Sequence, residues 1–498
     1  MSKLSRVLGF LATLGLVGAV MVLLASRSGS RGALQGYRAE LQRKGEKLTF
    51  AELMQGRLTN SVDSHALITN AMARLAGTGF SPGLLPLRTY LSAGQATVTW
   101  REPDLRSLAL GGAGSIGTWA GFDAQMRAAE STLQEIRTAL KNPALDAGPC
   151  TNMLLDRRVN FVAIRTAAQW LAGAAENDLH QRRLEAALQN LEALAALARM
   201  ERDEPTLVAQ MIRVAVAGLG LAATWEALQA TGWTEAQLER LQRGWEPVDL
   251  VAAVETGFVG ERAGGCEIFA TLRRHNGAQN GRFFDSIWNR GSTSAQARLE
   301  DAVRDYALLP AYKLTSIDQD ELFYLQTMQA VIAGLRLLKA QQPWAAAQAQ
   351  ENRATTNLYA VASSHLPWRY FVSMTTIPNY TRAGERAVQN ETERQMTLAA
   401  IAVNRCQLRH GKLPSSLEAL VPEFLAAVPY DYMSAKPLCY RLKNDGSYVL
   451  YSVGLDGKDD GGDPTPTPGG TPSLWGGRDA VWPSPVAEPV EPPPQPRR

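Results

Sequence analysis

Between residues 160 and 341 apolar side chains return every three to four positions, the period of helices that each bury one face. Leu184, Leu188, Leu191 and Leu194 mark one stripe, and Leu207, Met211, Val214, Leu221, Trp225 and Leu228 form a heptad-like seam in the next helix. Pro205 falls in the first turn of that helix, where a missing N–H does no harm, and Thr234 with Gln237 spells a capping box for the one after it. Residues 250–274 continue the series, as do 320–341 with Leu322, Leu325, Val331, Leu335 and Leu338 along one side. Short polar breaks between such helices predict antiparallel hairpins. Upstream, the pattern predicts helices over 33–47, 61–75 and 119–140, a capping box at Thr49–Glu52, and a loop-rich connector over 77–117 broken by Pro82, Pro86 and Pro103.

A different pattern begins at Met396. Leu398, Ile401 and Val403 lead a helix over 396–408 that turns polar at Arg405, Arg409 and His410 and stops at Gly411. Pro414, Ser415 and Ser416 open a short second helix bounded by Pro422. A turn at Pro429 to Asp431 precedes a strand over 437–442. Asn444, Asp445 and Gly446 supply the positive φ angles of a tight hairpin, and 447–453 returns with Val449, Tyr451 and Val453 on one face, Tyr448 and Leu450 on the other. An acidic glycine-rich loop runs from Gly454 to Asp463. Residues 479–482 read as a last strand of the same unit.

This order of elements resembles the C-terminal half of the major pseudopilin of type II secretion systems. The resemblance rests on the helix end, Leu413-Pro414, the segment from Leu417 to Leu420, the turn at Pro429 to Asp431, the Tyr-Ser-x-Gly-x-Asp-Gly run from Tyr451 to Gly457, and the acidic loop after it. It covers residues 396–463. In that family the loop binds calcium, which implies Asp456, Asp459, Asp460 and Asp463 as oxygen ligands here, with carbonyls near Ser452 and Leu455. Hard oxygen donors in a flexible loop suit Ca²⁺, although Lys458 breaks the EF-hand spacing; a bare solvated turn is the other outcome. Cys406 on the helix and Cys439 on the first strand would come together if the order holds, implying a disulfide suited to an oxidising compartment; two buried thiols are the alternative. The pseudopilin start is absent, because Leu14 stands where a glutamate follows the Gly9-Phe10 pair.

From Val7 to Ala25 the chain carries no charge, with Lys3 and Arg6 before this stretch and Arg27 and Arg31 after it. That length predicts an uncleaved membrane anchor rather than a signal-peptide core. The domain reading is therefore an anchor over 1–26, a helical body over 27–395, the α+β module over 396–463, and a proline-rich, mostly disordered tail over 464–498. The fold class is mainly α, and the expected location is the bacterial inner membrane with the body on the periplasmic side. A net charge of +3 across 498 residues gives no basic footprint for nucleic acid.

Catalytic spacing is absent from the sequence. The histidines His65, His180, His275, His365 and His410 are isolated, and there is no nucleophile elbow, phosphate loop or dinucleotide glycine run. Glu261, Arg262 and Asp320 are the members of an alternative reading as an envelope hydrolase, and Arg213 interrupts an apolar helix. Paired charges of this kind are more often structural. The anchor, helical body and Val481-Trp482-Pro483 ending also resemble a group of membrane-anchored bacterial envelope proteins, and that resemblance implies no activity. The leading expectation is a scaffold or binding protein with an unidentified protein partner. A pseudopilin-related secretion accessory is the second.

Overall fold

The computed structural model describes residues 28–55, 64–78, 82, 85–105, 117–144, 160–276, 279, 295–363, 367–377, 382–467 and 469–486. The expected anchor, Cys150, His365 and the tail after 486 lie outside them. The described chain is mainly helical with small sheets. Helix α1 covers residues 28–43, followed by α2 (Phe50–Met54) and α3 (Ser64–Ala76). Thr49 and Glu52 make the predicted capping box on α2. A short ribbon, β1 (Tyr90–Ser92) and β2 (Gln95–Ala96), leads through a 3₁₀ turn at Thr99–Arg101 into α4 (Trp119–Ala139).

The predicted hairpins then appear in order: α5 (Phe161–His180), α6 (Leu184–Arg199), α7 (Leu207–Ala227), α8 (Glu235–Trp245) and α9 (Leu250–Arg274). Helix α7 is long and apolar enough to cross a membrane, yet 67% of its apolar window is buried among its neighbours. It packs on α5, α6 and α9 and is a core helix. Gly220 on α7 lies against the Trp245 ring, and a side chain there would collide with it. That ring also donates to the Thr224 hydroxyl at 3.1 Å.

Helix α10 (Ala295–Val303) passes through a π-helical turn at Arg304–Leu308 into α11 (Leu309–Thr315), then α12 (Ile317–Lys339), α13 (Trp344–Ala362) and α14 (Phe371–Thr376). Helix α9 works as a ruler through the molecule. At its start the Leu250 amide donates to Glu391 at 3.0 Å, and at its end Arg273 meets the α1 side through Glu321, which also pairs with Arg38. Its 25 residues separate those ends by roughly 37 Å at 1.5 Å per residue.

The expected boundary at 395/396 falls inside a helix. One helix, α15 (Ala383–His410), runs through it, and Gly411 ends that helix at φ 70° with its N–H on the Gln407 carbonyl. The second short helix of the module is a single 3₁₀ turn at Glu418–Leu420. After β3 (Tyr430–Asp431) and β4 (Lys436–Pro437), strands β5 (Cys439–Leu442) and β6 (Tyr448–Ser452) form the predicted hairpin with Gly446 at φ 81°. Strand β7 (Ala480–Val481) pairs antiparallel with β6, and β8 (Ser484–Pro485) pairs parallel with β2. The tail is therefore folded as far as residue 486. Leu474, Ala480 and Trp482 are buried, and the Trp225 indole donates to the Pro483 carbonyl at 3.0 Å. Proline content misleads here because prolines suit edges and turns that are held by side-chain burial.

Candidate functional site

A cleft of about 560 Å³ opens between α4, α6 and α8, within the size range of small-ligand and side-chain pockets. Small residues make room for it: Ala193 and Ala196 of α6 and Gly244 of α8 form part of its floor, and Gly244 approaches α6 closely at Ala195. Among the described residues its walls carry five cations, Arg137, Lys141, Arg199, Arg240 and Arg243, against one carboxylate, Glu192. Three cations are already engaged. Arg137 donates to Asn190 at 2.9 Å and pairs with Glu130, Arg240 forks onto Glu192 and Glu185 at 2.8 and 2.7 Å, and Arg243 pairs with Glu239. Arg199 differs. Burial and the neighbouring Arg202 depress its pKa, and its buried Nε has no acceptor among the described residues. Lys141 likewise has no carboxylate partner among them. Among the described residues these two cations lack a carboxylate partner over an apolar floor, a chemistry that suits an anionic group with an aliphatic stem.

The residues singled out in the sequence lie elsewhere and apart. Glu261 accepts from the Leu207 amide at 3.1 Å and so caps α7. Arg262, fully buried, pairs with Glu46 at 2.9 Å, and Arg336 pairs with the same carboxylate. These two arginines hold the Glu46 carboxyl down at about 2 against its burial. Asp320 takes hydrogen bonds from the Tyr312 hydroxyl at 2.6 Å, the Val372 and Ser373 amides and the Ser373 hydroxyl, and burial raises its pKa to about 6. Arg213 donates to the Ala198 carbonyl and to Gln210, and burial lowers its pKa to about 10. None of these four lines the cationic cleft.

In the acidic loop three of the four expected ligands, Asp456, Asp459 and Asp463, accept from local donors. Asp456 accepts from the Lys458 amide, Asp459 from the Tyr451 hydroxyl and the Gly461 amide, and Asp463 from the Thr465 amide and Arg478. The organising group is Asp479, which the sequence reading missed. It is 1% exposed and accepts from the amides of Asp460, Gly462 and Asp463 at 3.3, 2.7 and 3.0 Å. Among the described residues no group of three or more His, Cys, Asp or Glu side chains is placed to hold a metal ion. The hydrogen bonds to Asp479 and within the loop order its backbone.

The bridge expected between Cys406 and Cys439 is not formed; both are free thiols. The strand's period of two explains the outcome. Tyr440 faces the α15 cluster, where burial and the Cys406 thiol push its hydroxyl up to about 12, while Cys439 pairs across the ribbon with Tyr451 on the opposite face.

A buried carboxyl pair also escaped the sequence reading. Glu226 of α7 accepts from the Arg88 and Thr99 amides at 2.7 and 2.8 Å, and its own carbonyl takes the Trp100 indole N–H at 3.0 Å. Glu176 of α5 is fully buried beside it; burial first and Glu226 second push its pKa well above the usual range, and burial raises Glu226 to about 7. His180 completes the seat, with Nδ1 2.8 Å from the Trp100 carbonyl and its ring stacked on Trp119 at 4.2 Å. The β1–β2 ribbon is thus locked onto α5 and α7. No signal in the sequence joins residues separated by such long stretches of chain. Comparison with family models, with curated proteins and with solved structures gives no match for this chain.

Proposed function

We propose that this protein is a membrane-anchored envelope scaffold, held by Val7 to Ala25 in the inner membrane, whose periplasmic helical body binds an acidic segment of a protein partner in the cationic cleft. The observation that carries the reading is the pair Lys141 and Arg199, without a carboxylate partner among the described residues, in an open cleft beside three arginines. Polar groups buried elsewhere are spent on holding elements together, as with Glu261, Arg262 and Asp320. The cleft also lies beside Gly244, close to the start of α9 and away from the α1 end, where a partner would have access.

Fluorescence anisotropy of a labelled oligoglutamate peptide with the full chain in nanodiscs tests it. Binding that weakens with salt and disappears in Lys141→Glu/Arg199→Glu supports the reading. Absence of binding at low salt, or binding indifferent to that double reversal, overturns it. The hairpin, the acidic loop and the closing strand β7 favour a narrower second reading, a pseudopilin-related secretion accessory, for which co-purification with pseudopilins is the test.

A further inference from the structure

The segment from Ala302 to Leu314 has its polarity inside out. Asp305 is 7% exposed and Arg304 pairs with it at 2.7 Å and with Asp301 at 2.9 Å, so the charges face the protein. Val303, Tyr306, Leu308 and Leu314 are 47, 68, 60 and 59% exposed, with Ala302, Ala307 and Ala311 exposed between them. A helix on a water-soluble surface shows the reverse. The orientation is fixed by the inner face. Leu309, Tyr312 and Ile317 are buried, the Tyr312 hydroxyl bonds Asp320, and its ring meets Phe371 edge-on. The π-helical turn at Arg304–Leu308 supplies the register shift that turns Arg304 and Asp305 in and Tyr306 and Leu308 out.

What lies next to this face identifies its occupant. A cleft of about 470 Å³ beside it is lined by Leu314, Lys313 and Arg273 together with Arg31 of α1. Arg31 is six residues beyond Ala25, the end of the uncharged stretch. Arg38 of α1 pairs with buried Glu321, and Glu46, just after the helix, pairs with buried Arg262, so α1 with Arg31 near its start is held to the body beside α11. We propose that the 302–314 face lies in the headgroup and upper acyl region of the bilayer that holds Val7 to Ala25, with Arg31 and Lys313 at the level of the lipid phosphates. An exposed apolar face beside cations is the composition that rests at such an interface, and tyrosine is the residue favoured there. The inference rests on the anchored reading above and adds a fixed posture to it.

The test uses the full chain in nanodiscs of phosphatidylcholine and phosphatidylglycerol whose acyl chains are brominated. Tyr306→Trp and Leu314→Trp each add an indole, and Leu442→Trp, at an exposed apolar position near the α15 end, is the control. The expected result is that the emission added at 306 and 314 is mostly quenched relative to unbrominated lipid, while that added at 442 is unchanged. Equal emission in the two lipids at all three positions, with the protein still co-floating with the discs, overturns this posture and leaves the anchor standing. A chain that fails to co-float overturns both. Tyr306 and Leu314 indoles shielded from aqueous iodide and from bromine alike would place a protein there instead, which also overturns the proposal. In a second measurement that needs no substitution, amides 304–314 of the wild-type chain are expected to exchange more slowly in nanodiscs than in a short-chain detergent that supplies no bilayer plane, and equal exchange counts against it.

Discussion

Two buried clusters in this protein solve the same problem in opposite ways. At the α1 clamp, Glu46 and Glu321 meet Arg262, Arg336, Arg38 and Arg273, and elements are joined by ion pairs. At the β1–β2 ribbon, Glu176 and Glu226 lie side by side, Glu226 takes two backbone amides, and burial raises the pKa of both. The sign of the pKa shift separates the two. Glu46 is lowered to about 2, so its contribution is present above the ordinary carboxyl range and is lost as pH falls toward 2. Glu226 is raised to about 7, so its contribution is complete below the ordinary value of 4.5 and is lost as pH rises through 7. The body is thus fastened at its two sides by groups that fail at opposite ends of the pH scale.

The largest effect should come from breaking the clamp asymmetrically. Arg262→Ala leaves the Glu46 carboxylate buried with less compensation, and removing one partner of a buried pair costs about 3–5 kcal/mol, to be read from urea unfolding. Glu176→Gln should act the other way at neutral pH, because it replaces a buried carboxyl, pushed up by burial and by Glu226, with a side chain that does not ionise. Wild-type stability is expected to decline between pH 4.5 and 7 by on the order of 3 kcal/mol from this pair, and the variant to show a shallower decline in the same unfolding series. Asp479→Ala should cost about 1–3 kcal/mol, since three loop amides lose their acceptor, with faster exchange of the Gly462 and Asp463 amides as the local readout. The smallest effect is expected from calcium. With Asp456, Asp459 and Asp463 each hydrogen-bonded locally, thermal melting should be the same in millimolar Ca²⁺ and in chelator; a rise with Ca²⁺ that Asp456→Ala removes would establish the metal site.

Features written in neighbouring residues were legible. The 3.6-residue stripes gave α5 to α9 and α12, the Asp445-Gly446 pair gave the β5–β6 hairpin, and Gly411 gave the end of α15. Features that depend on where a helix face points were not. Leu308 and Leu314 are exposed, and an apolar position in the sequence does not say which medium covers it. Lys141 and Arg199, or Glu176 and Glu226, share a site because α4, α5, α6 and α7 pack as they do, which periodicity leaves open. The cysteine bridge failed on a single step of strand register, which sends Cys439 and Tyr440 to opposite faces.

The claim on which the anchored posture depends is that α1 is a rigid part of the body. Spin labels at Ala39→Cys on α1 and Leu408→Cys on α15, both exposed, measure it directly in the bilayer-reconstituted chain by the distribution of distances between them. A single narrow distribution is predicted, broadening in Glu46→Gln/Arg38→Ala; a broad distribution in the unaltered clamp, indifferent to those changes, would contradict the account.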